Sequence, residues 1–449
     1  MNGELVGHWR VDRGASTLTY ASSWLQSDKV RSLSLSLPIT ASREIRGPVV
    51  TNFFDNLLPD NERIRERLAR RFRTKDAQAF TLLEAIGRDC VGAVQLLPEG
   101  MAPAGWDRIE AEPLTAAQVA QVLAAVPAER ALGIGADDEP FRISLAGAQE
   151  KTALTKVGRR WCRPRGATPT THIFKLPLGL VGGSRRVDLS DSIENEWLCA
   201  QILRELGLPV ARSEMAEFAG QKVLVVERFD RQRMPPGETG AKAGGKAGGK
   251  AGHEWIARLP QEDFCQALGV APAMKYEKDG GPGMAACLQL LAGSADAQAD
   301  RTTFLLAQLA FWLLAATDGH AKNYSVFLGR GDVYRMTPLY DVISVWPYVG
   351  DAPNQFRWRT AGLAMAVRSK NAHYALQTIQ ARHWAALAMK NGGEPVWQAM
   401  FELAGRVTEA LAAVEQRLPG RFPGRTWETI ASGMRAQAQR FQAGVREGP

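Results

Sequence analysis

The hydrophobic and polar positions divide the chain into stretches of different period. Over residues 1–50 the runs GELVGHWRV, STLTYASSWL and RSLSLSLPI carry β-branched and aromatic residues, partly in alternation, with Gly, Asp and Ser between them. Alternation puts successive side chains on opposite faces of a strand, so these runs predict β structure. From Pro59, LPDNERIRERLARRF offers Asp60 or Asn61 as an N-cap and acid in the first turn, which predicts a helix. TLLEAIG continues as helix and GAVQLLPEG reads as a strand. Pro, Ala and Gly around residues 98–105 mark a boundary, followed by a short helical stretch from Thr115 to Ala125.

The pattern changes at Phe141. FRISLAGAQEKTALTKV holds two β-favouring runs around a small-residue turn at Ala146 to Ala148, and THIFKL (Thr171 to Leu176) is another short strand. Ser192 to Gly207 follows the 3.6-residue period of a helix, capped by Ser192 and stopped by Gly207 before Pro209. QKVLVVERFD is a continuous apolar run, hence a buried strand ending in charge. Residues 237–252, GETGAKAGGKAGGKAG, lack the apolar content to build a core and predict a basic loop. Its Lys242, Lys246 and Lys250 either meet phosphates or belong to a neutral insertion. Helices follow over LPQEDFCQAL, MAACLQLLAG and Phe304 to Ala316. The last runs into a polar loop, TDGHAKNYSVFL, that leads to a strand, and VYRMTPLYDVIS reads as a further strand and turn. Beyond about Arg357 the chain reads as helical and Ala-rich, notably over HWAALAMK, VWQAMFELAGRVTEALAAVEQRL and TWETIASGMRAQAQRFQ.

At 449 residues the chain exceeds one core, and it divides into three regions. Residues 1–130 form an N-terminal α+β accessory subdomain. Residues 131–256 form a β-rich region like a kinase small lobe, with nucleotide loop and hinge. Residues 257–449 form a mostly helical C-terminal lobe with the catalytic loop. The fold class expected is α+β: a bilobal protein-kinase-like fold with a β-rich N-terminal accessory subdomain and an all-α C-terminal lobe.

The composition, 45% hydrophobic and 23% charged, is that of an ordinary globular protein and argues against wholesale disorder. A net charge of +8 suits a phosphate-bearing partner, nucleotide or nucleic acid, although many soluble proteins are mildly basic. Cys90, Cys162, Cys199, Cys265 and Cys287 are scattered without CxxC spacing, which predicts reduced, buried thiols and no zinc site. The N-terminus lacks a basic segment followed by an apolar one, and the longest apolar run is interrupted by Gln308 and too short to span a bilayer. These features predict a cytoplasmic protein with neither signal peptide nor membrane span.

Phosphoryl transfer needs a group to orient the nucleophile, oxygen ligands for Mg2+, and positive or N–H groups around the phosphates. Asp318 and Asn323 form D-x-x-x-x-N after a buried helix, the spacing of a kinase catalytic loop, with His320 and Lys322 between them. Lys322 would neutralise transferring charge; for His320 a structural role fits as well. Asp341 in P-L-Y-D-V-I-S is either a second magnesium contact or a turn cap, since the chain has no D-F-G. Lys175, inside an apolar strand, either meets the phosphates, steadied by Glu196 with Glu194 close behind, or points to water from a sheet edge. Glu227 and Phe229 end a buried strand where a hinge would offer backbone groups to adenine. A-G-A-Q-E-K, Ala146 to Lys151, could bring N–H groups near phosphate oxygens, with Gln149 and Lys151 as side-chain donors.

Together these stretches resemble the HipA family, the kinase toxins of bacterial toxin–antitoxin pairs. The matching segments are S-L-A-G-A-Q-E-K-T-A-L, T-H-I-F-K-L-P-L-G, E-N-E-W-L-C, V-E-R-F-D-R, L-P-Q-E-D-F-C-Q, K-Y-E-K-D-G-G-P-G, T-D-G-H-A-K-N-Y-S and P-L-Y-D-V-I-S, with N-F-F-D-N-L-L-P-D-N in the N-terminal region. The resemblance implies Asp318 as catalytic aspartate, with Lys322 in the catalytic set, and Asn323 and Asp341 as Mg2+ ligands. It implies an ATP site of Ala146, Gly147, Ala148, Gln149, Glu150, Lys151, Lys175, Glu227, Arg228, Phe229, His320, Ala321, Asn323, Tyr340 and Asp341. Ser144 falls on the family's autophosphorylated serine. Members phosphorylate an aminoacyl-tRNA synthetase, typically the glutamyl enzyme, and are neutralised by a small DNA-binding antitoxin (HipB-like) in a complex on operator DNA. The Gly/Ala/Lys insertion departs from the family pattern. Two other readings stay open: a small-molecule phosphotransferase, and a catalytically silent co-repressor. A pure DNA-binding protein is weaker, because Arg63 to Arg73 holds helix-surface charge without a reading motif.

Overall fold

The computed structural model describes residues 1–127, 143–147, 149–181, 186–236 and 253–446. The loop expected over 237–252 lies outside these residues, as does Ala148.

The chain opens with an antiparallel sheet of Gly7–Asp12, Ala15–Tyr20 and Glu44–Arg46. Ser16, Leu18 and Tyr20 turn inward at every second position, as the alternation predicts. The third expected strand, RSLSLSLPI, does not form; only an isolated bridge joins Ser34 and Leu37. Its serines are drawn to another part of the chain. The Ser32 hydroxyl donates to Asp332 (2.9 Å) and that of Ser36 to the Gln266 carbonyl (2.6 Å). GAVQLLPEG is likewise no strand, because the Gly92 N–H donates to Asp230 (2.7 Å) and the Leu96 N–H to the Gly87 carbonyl (2.8 Å). Helices Pro48–Asp55, Glu62–Phe72 and Ala79–Ile86 pack Phe53, Phe54, Leu82 and Leu83 against the first sheet. Asn61 is the cap of the second, accepting from the Arg63 N–H.

The central sheet is six-stranded and antiparallel in the order Ser213–Phe218, Gln221–Glu227, His172–Lys175, Lys151–Val157, Arg160–Pro164, Ala111–Pro113. Helix Ala116–Ala124 covers it through Val119 and Leu123, which meet Leu154, Phe174 and Val223. Helix Ser192–Glu205 joins sheet to helices, burying Leu198, Ile202 and Leu203 in the large core. Ser192 opens this helix, but its hydroxyl accepts from the Leu178 N–H rather than capping it.

The large core surrounds helix Ala297–Leu314, with helices Ala381–Asn391, Glu394–Gly405, Val407–Glu415 and Gly424–Arg446 around it. Gln308, the polar interruption, is buried and donates to the Tyr324 hydroxyl at 2.8 Å. The expectation of an all-α C-terminal lobe is corrected. Ser325–Leu328 pairs with Gln261–Asp263 on one side and Tyr334–Met336 on the other. LPQEDFCQAL therefore starts as a strand, and only Phe264–Ala267 turns helical, capped by Asp263. Gly362–Arg368 and Ala372–Ala375 form a hairpin despite their alanines, with the Ala366 N–H taken by Glu277 (2.6 Å). All five cysteines are free and buried. Among the described residues no helix is long and apolar enough to cross a membrane.

Candidate active site

Strand His172–Lys175 lies inside the central sheet, where Lys175 faces Leu224 on one neighbour and Lys151 on the other. Directly opposed residues of antiparallel strands project to the same face, so two lysines stand side by side. The Lys175 ammonium donates to Glu196 Oε1 (2.6 Å) and Asp341 Oδ1 (2.7 Å). Burial alone would push this ammonium down, but Asp341 and Glu196 outweigh it and hold it above the ordinary lysine range. The edge-strand alternative is thereby excluded: Lys175 is 6% exposed and paired twice. Lys151 forms no ion pair among the described residues, and burial, helped by Lys175, pushes it down to about 8 against the pull of Asp341. Burial would raise the Asp341 carboxyl, yet Lys175 and Lys151 hold it well below the usual range. Asp341 has φ +61°, a left-handed conformation costing a non-glycine residue about 1–3 kcal/mol, kept only where the surroundings over-determine it.

Across the cleft, helix Ala297–Leu314 ends at Ala315, which has φ +49°. The following loop is tied by its own backbone. The Asp318 carbonyl accepts from the His320 N–H (2.8 Å) and from Asn323 Nδ2 (2.7 Å). The Asp318 carboxylate is 62% exposed, and its Oδ1 accepts from the Tyr276 hydroxyl at 2.5 Å. His320 packs edge-on against the Tyr276 ring, and burial pushes it down to about 3, so it is neutral at physiological pH. Lys322 is buried, and its ammonium donates to Asp60 Oδ1 (2.7 Å). The other oxygen of Asp60 takes Lys275, also at 2.7 Å. Burial would raise Asp60, but the two lysines hold it at about 2. The Tyr340 hydroxyl donates to the Lys322 carbonyl (2.9 Å), and its ring lies against Phe229. Ala321 is buried within the loop.

The remaining expected residues divide. Ala146, Gly147, Gln149, Lys151, Lys175, Glu196, Glu227, Arg228, Phe229, Asp318, His320, Lys322, Asn323, Tyr340 and Asp341 all line one cleft, about 1460 Å³ measured out to open solvent. Gly147 has φ +101°, a backbone conformation that side-chain-bearing residues rarely adopt, and a Cβ there would come within 2.6 Å of the Lys151 ammonium and displace it. Gln149 donates to the Leu176 carbonyl (2.6 Å), which anchors the loop to the sheet. Glu150 turns away to Arg67 (2.6 Å). The Glu227 and Arg228 amides are spent on the Arg212 and Thr171 carbonyls, and among the described residues no backbone bond uses the Phe229 N–H. The Arg228 guanidinium enters a buried cluster with Asp89 and Asp230. Ser144 is buried, its hydroxyl donating to the Leu57 carbonyl at 2.7 Å.

Among the described residues no three His, Cys, Asp or Glu side chains gather to hold a metal. Asp341 Oδ2 and Asn323 Oδ1 are oxygens that accept no hydrogen bond among those residues, which suits a hard cation completed by phosphate oxygens and water. Sequence reasoning missed Tyr276, Lys275 and the reach of Asp60. The motif K-Y-E-K-D-G-G-P-G holds the first two, and the local pattern offers Asp60 only as an alternative to Asn61 for the helix cap.

Comparison with known proteins bears on the chain as a whole. Residues 143–418 match the HipA-like C-terminal domain and residues 1–97 the HipA N-terminal domain. The chain is 32% identical over 424 residues to the protein Y4mE of Sinorhizobium fredii, covering 92% of this chain and 90% of that one. It is 28% identical over 434 residues to the serine/threonine-protein kinase toxin HipA of Shewanella oneidensis, covering 92% and 88%. Among solved structures, the complex of HipA, HipB and operator DNA from Shewanella oneidensis MR-1 matches with a TM-score of 0.76 at 24% identity, over 100% of this chain and 98% of that one. Matched along both its N-terminal and C-terminal parts, the chain belongs to the HipA family of toxin kinases.

Proposed function

We propose that this protein is an ATP-dependent serine/threonine protein kinase acting as the toxin of a toxin–antitoxin pair in the cytoplasm. The observation that carries the reading is Lys175 held between Glu196 and Asp341, in the cleft that also holds Asp318 and Asn323. An acceptor hydroxyl placed on Asp318 gives its proton to that carboxylate as its oxygen attacks the γ-phosphorus. The bond from that phosphorus to the β-phosphate oxygen breaks, and ADP leaves. Lys175 and Lys151 meet the phosphates, and Lys322 adds positive charge beside the catalytic loop. Asn323 and Asp341 would hold Mg2+, which when bound neutralises phosphate charge. The exposed end of strand Gln221–Glu227, with the Phe229 N–H and ring, receives the adenine.

The relative in Shewanella oneidensis is named a serine/threonine-protein kinase toxin, and the similar structure is a complex with HipB and operator DNA. By that likeness we assign this chain a HipB-like antitoxin, with operator DNA reached mainly through it; as substrate we propose an aminoacyl-tRNA synthetase, the glutamyl enzyme first, on the family resemblance of its motifs alone. Ser144 is assigned as an autophosphorylation site. A phosphate carries about −1.5 to −2 charges, which cannot stay where a 1%-exposed hydroxyl now meets Leu57, so the segment must swing out and open the nucleotide loop.

The test is transfer of labelled γ-phosphate to purified glutamyl-tRNA synthetase, with a panel of small-molecule acceptors alongside and mass spectrometry of Ser144. Transfer to the synthetase and a phosphate on Ser144 are expected. Transfer only to a small molecule would replace the reading with that of a small-molecule phosphotransferase. Expression without antitoxin is expected to arrest growth.

Lys151 gives the site a pH dependence. Its charged form, favoured below about 8, is the form that attracts phosphates. ATP affinity should therefore fall as pH rises from 7 to 9, and Lys151→Arg, which keeps its charge, should flatten the profile. A wild-type profile as flat as the variant's would remove Lys151 from the phosphate contacts.

A further inference from the structure

The segment after helix Pro48–Asp55 touches three parts of the cleft at once. Pro59 forms a bridge with Gly147, and the Asp60 N–H donates to the Gly147 carbonyl at 3.2 Å. The Asp60 side chain crosses to the catalytic loop at Lys322 and to Lys275, one ammonium on each carboxylate oxygen, both at 2.7 Å. Lys275 precedes Tyr276, whose hydroxyl lies on Asp318. We infer that Asp60 is a positioning residue of phosphoryl transfer, so that the N-terminal region completes the active site of the kinase.

The inference rests on the kinase reading and adds a residue to it. Lys322 has 3% of its side chain exposed, and its other contact is the Asn56 carbonyl at 3.4 Å, too long to hold it alone. Two ammonium groups sharing one carboxylate are bridged by it, and its negative charge offsets half of theirs. Without that negative charge they repel each other in a site where water cannot screen them. Lys322 then leaves its place between Asp318 and Asn323, and the loop holding both shifts with it. Lys175, Glu196 and Asp341 lie on other elements and keep their pairing, so nucleotide binding suffers less than the chemical step, which depends on the placement of Asp318. Asp60 acts through Lys322, not on the acceptor or the nucleotide.

The experiment measures kcat and KM for ATP with glutamyl-tRNA synthetase and with the chain itself as acceptor. It uses the full-length wild type, Asp60→Asn and Asp60→Glu, each with its melting temperature. Asp60→Asn is expected to lower kcat about tenfold or more with KM for ATP changed less than about twofold. Asp60→Glu, which restores the charge, is expected to recover most of the loss. Should Asp60→Asn fail to fold, Asp60→Ser, which also removes the charge, is read in its place by the same split: kcat lowered, KM for ATP held. Unchanged kcat in the folded variant that lacks the charge, beside an active wild type, overturns this inference and leaves the kinase reading standing. A fall in kcat that Asp60→Glu does not relieve, tracking lost melting temperature, overturns it too, as a purely structural effect. No transfer by the wild type to either acceptor overturns the kinase reading and this inference with it.

Discussion

Asp318→Asn is expected to lower phosphoryl transfer by about a thousandfold or more while leaving the folding temperature unchanged. The Asp318 carboxylate is open to the cleft, and among the described residues its one side-chain hydrogen bond comes from Tyr276, so an amide of the same shape disturbs little around it. What the amide cannot do is take the proton of the acceptor hydroxyl. Asp341→Asn should lose as much rate for a different reason. It removes a proposed metal ligand and one of the two anions holding Lys175. The two variants should separate in nucleotide binding. ATP affinity is expected to persist in Asp318→Asn and to weaken in Asp341→Asn. Near-normal turnover in either variant at saturating magnesium would remove that residue from the chemistry.

The largest expected effect on stability lies outside the cleft, at Asp89. This buried carboxylate accepts from Arg231 (3.1 Å), Arg258 (3.2 Å) and the Thr170 hydroxyl (2.6 Å), and Arg228 lies at 3.4 Å. With Asp230 it balances three guanidinium groups that are almost wholly buried. Asp89→Ala leaves three buried cations facing one carboxylate, and removing a partner of this kind costs about 3–5 kcal/mol. Chemical denaturation should read that loss, and a cost near zero would show that water enters the cluster. The pH dependence has a definite sign. Burial would raise the Asp89 carboxyl, but Arg231, Arg258 and Arg228 hold it well below the ordinary range. Its contribution is therefore present above the unfolded-state value near ~3.9 and is lost as pH falls further. The variant's stability should depend less on pH over that acid range than the wild type's.

The sequence by itself determined a good part of this protein, and the reason lies in how local the signals were. The alternation in STLTY, the period of Ser192 to Gly207 and the apolar run QKVLVVE each report burial within one element, and each element formed, whereas Ser22–Leu25, expected to continue the strand of STLTY, turned helical. Asp318 and Asn323 are five residues apart in one loop, so spacing alone could bring them together, and the Asn323 bond to the Asp318 carbonyl is the local result. Lys175 announced itself as a charge that an apolar strand cannot bury unpaired.

Tertiary structure decided whatever depended on partners distant in the chain. RSLSLSLPI has a strand's pattern, yet its serines found Asp332 and Gln266, more than two hundred residues away. LPQEDFCQAL and the alanine-rich stretch at Gly362–Arg368 have helical composition, but a neighbouring strand offered backbone bonds that propensity cannot foresee. Asp60 lies beside a helix start, where a local reading makes it a cap. Asn61 took that role, and the fold carried Asp60 across the cleft to lysines at 275 and 322. Burial set the charges there, because a carboxylate enclosed with two ammonium groups binds them far more strongly than it would in water. No pattern along the chain records which side chains will be enclosed together.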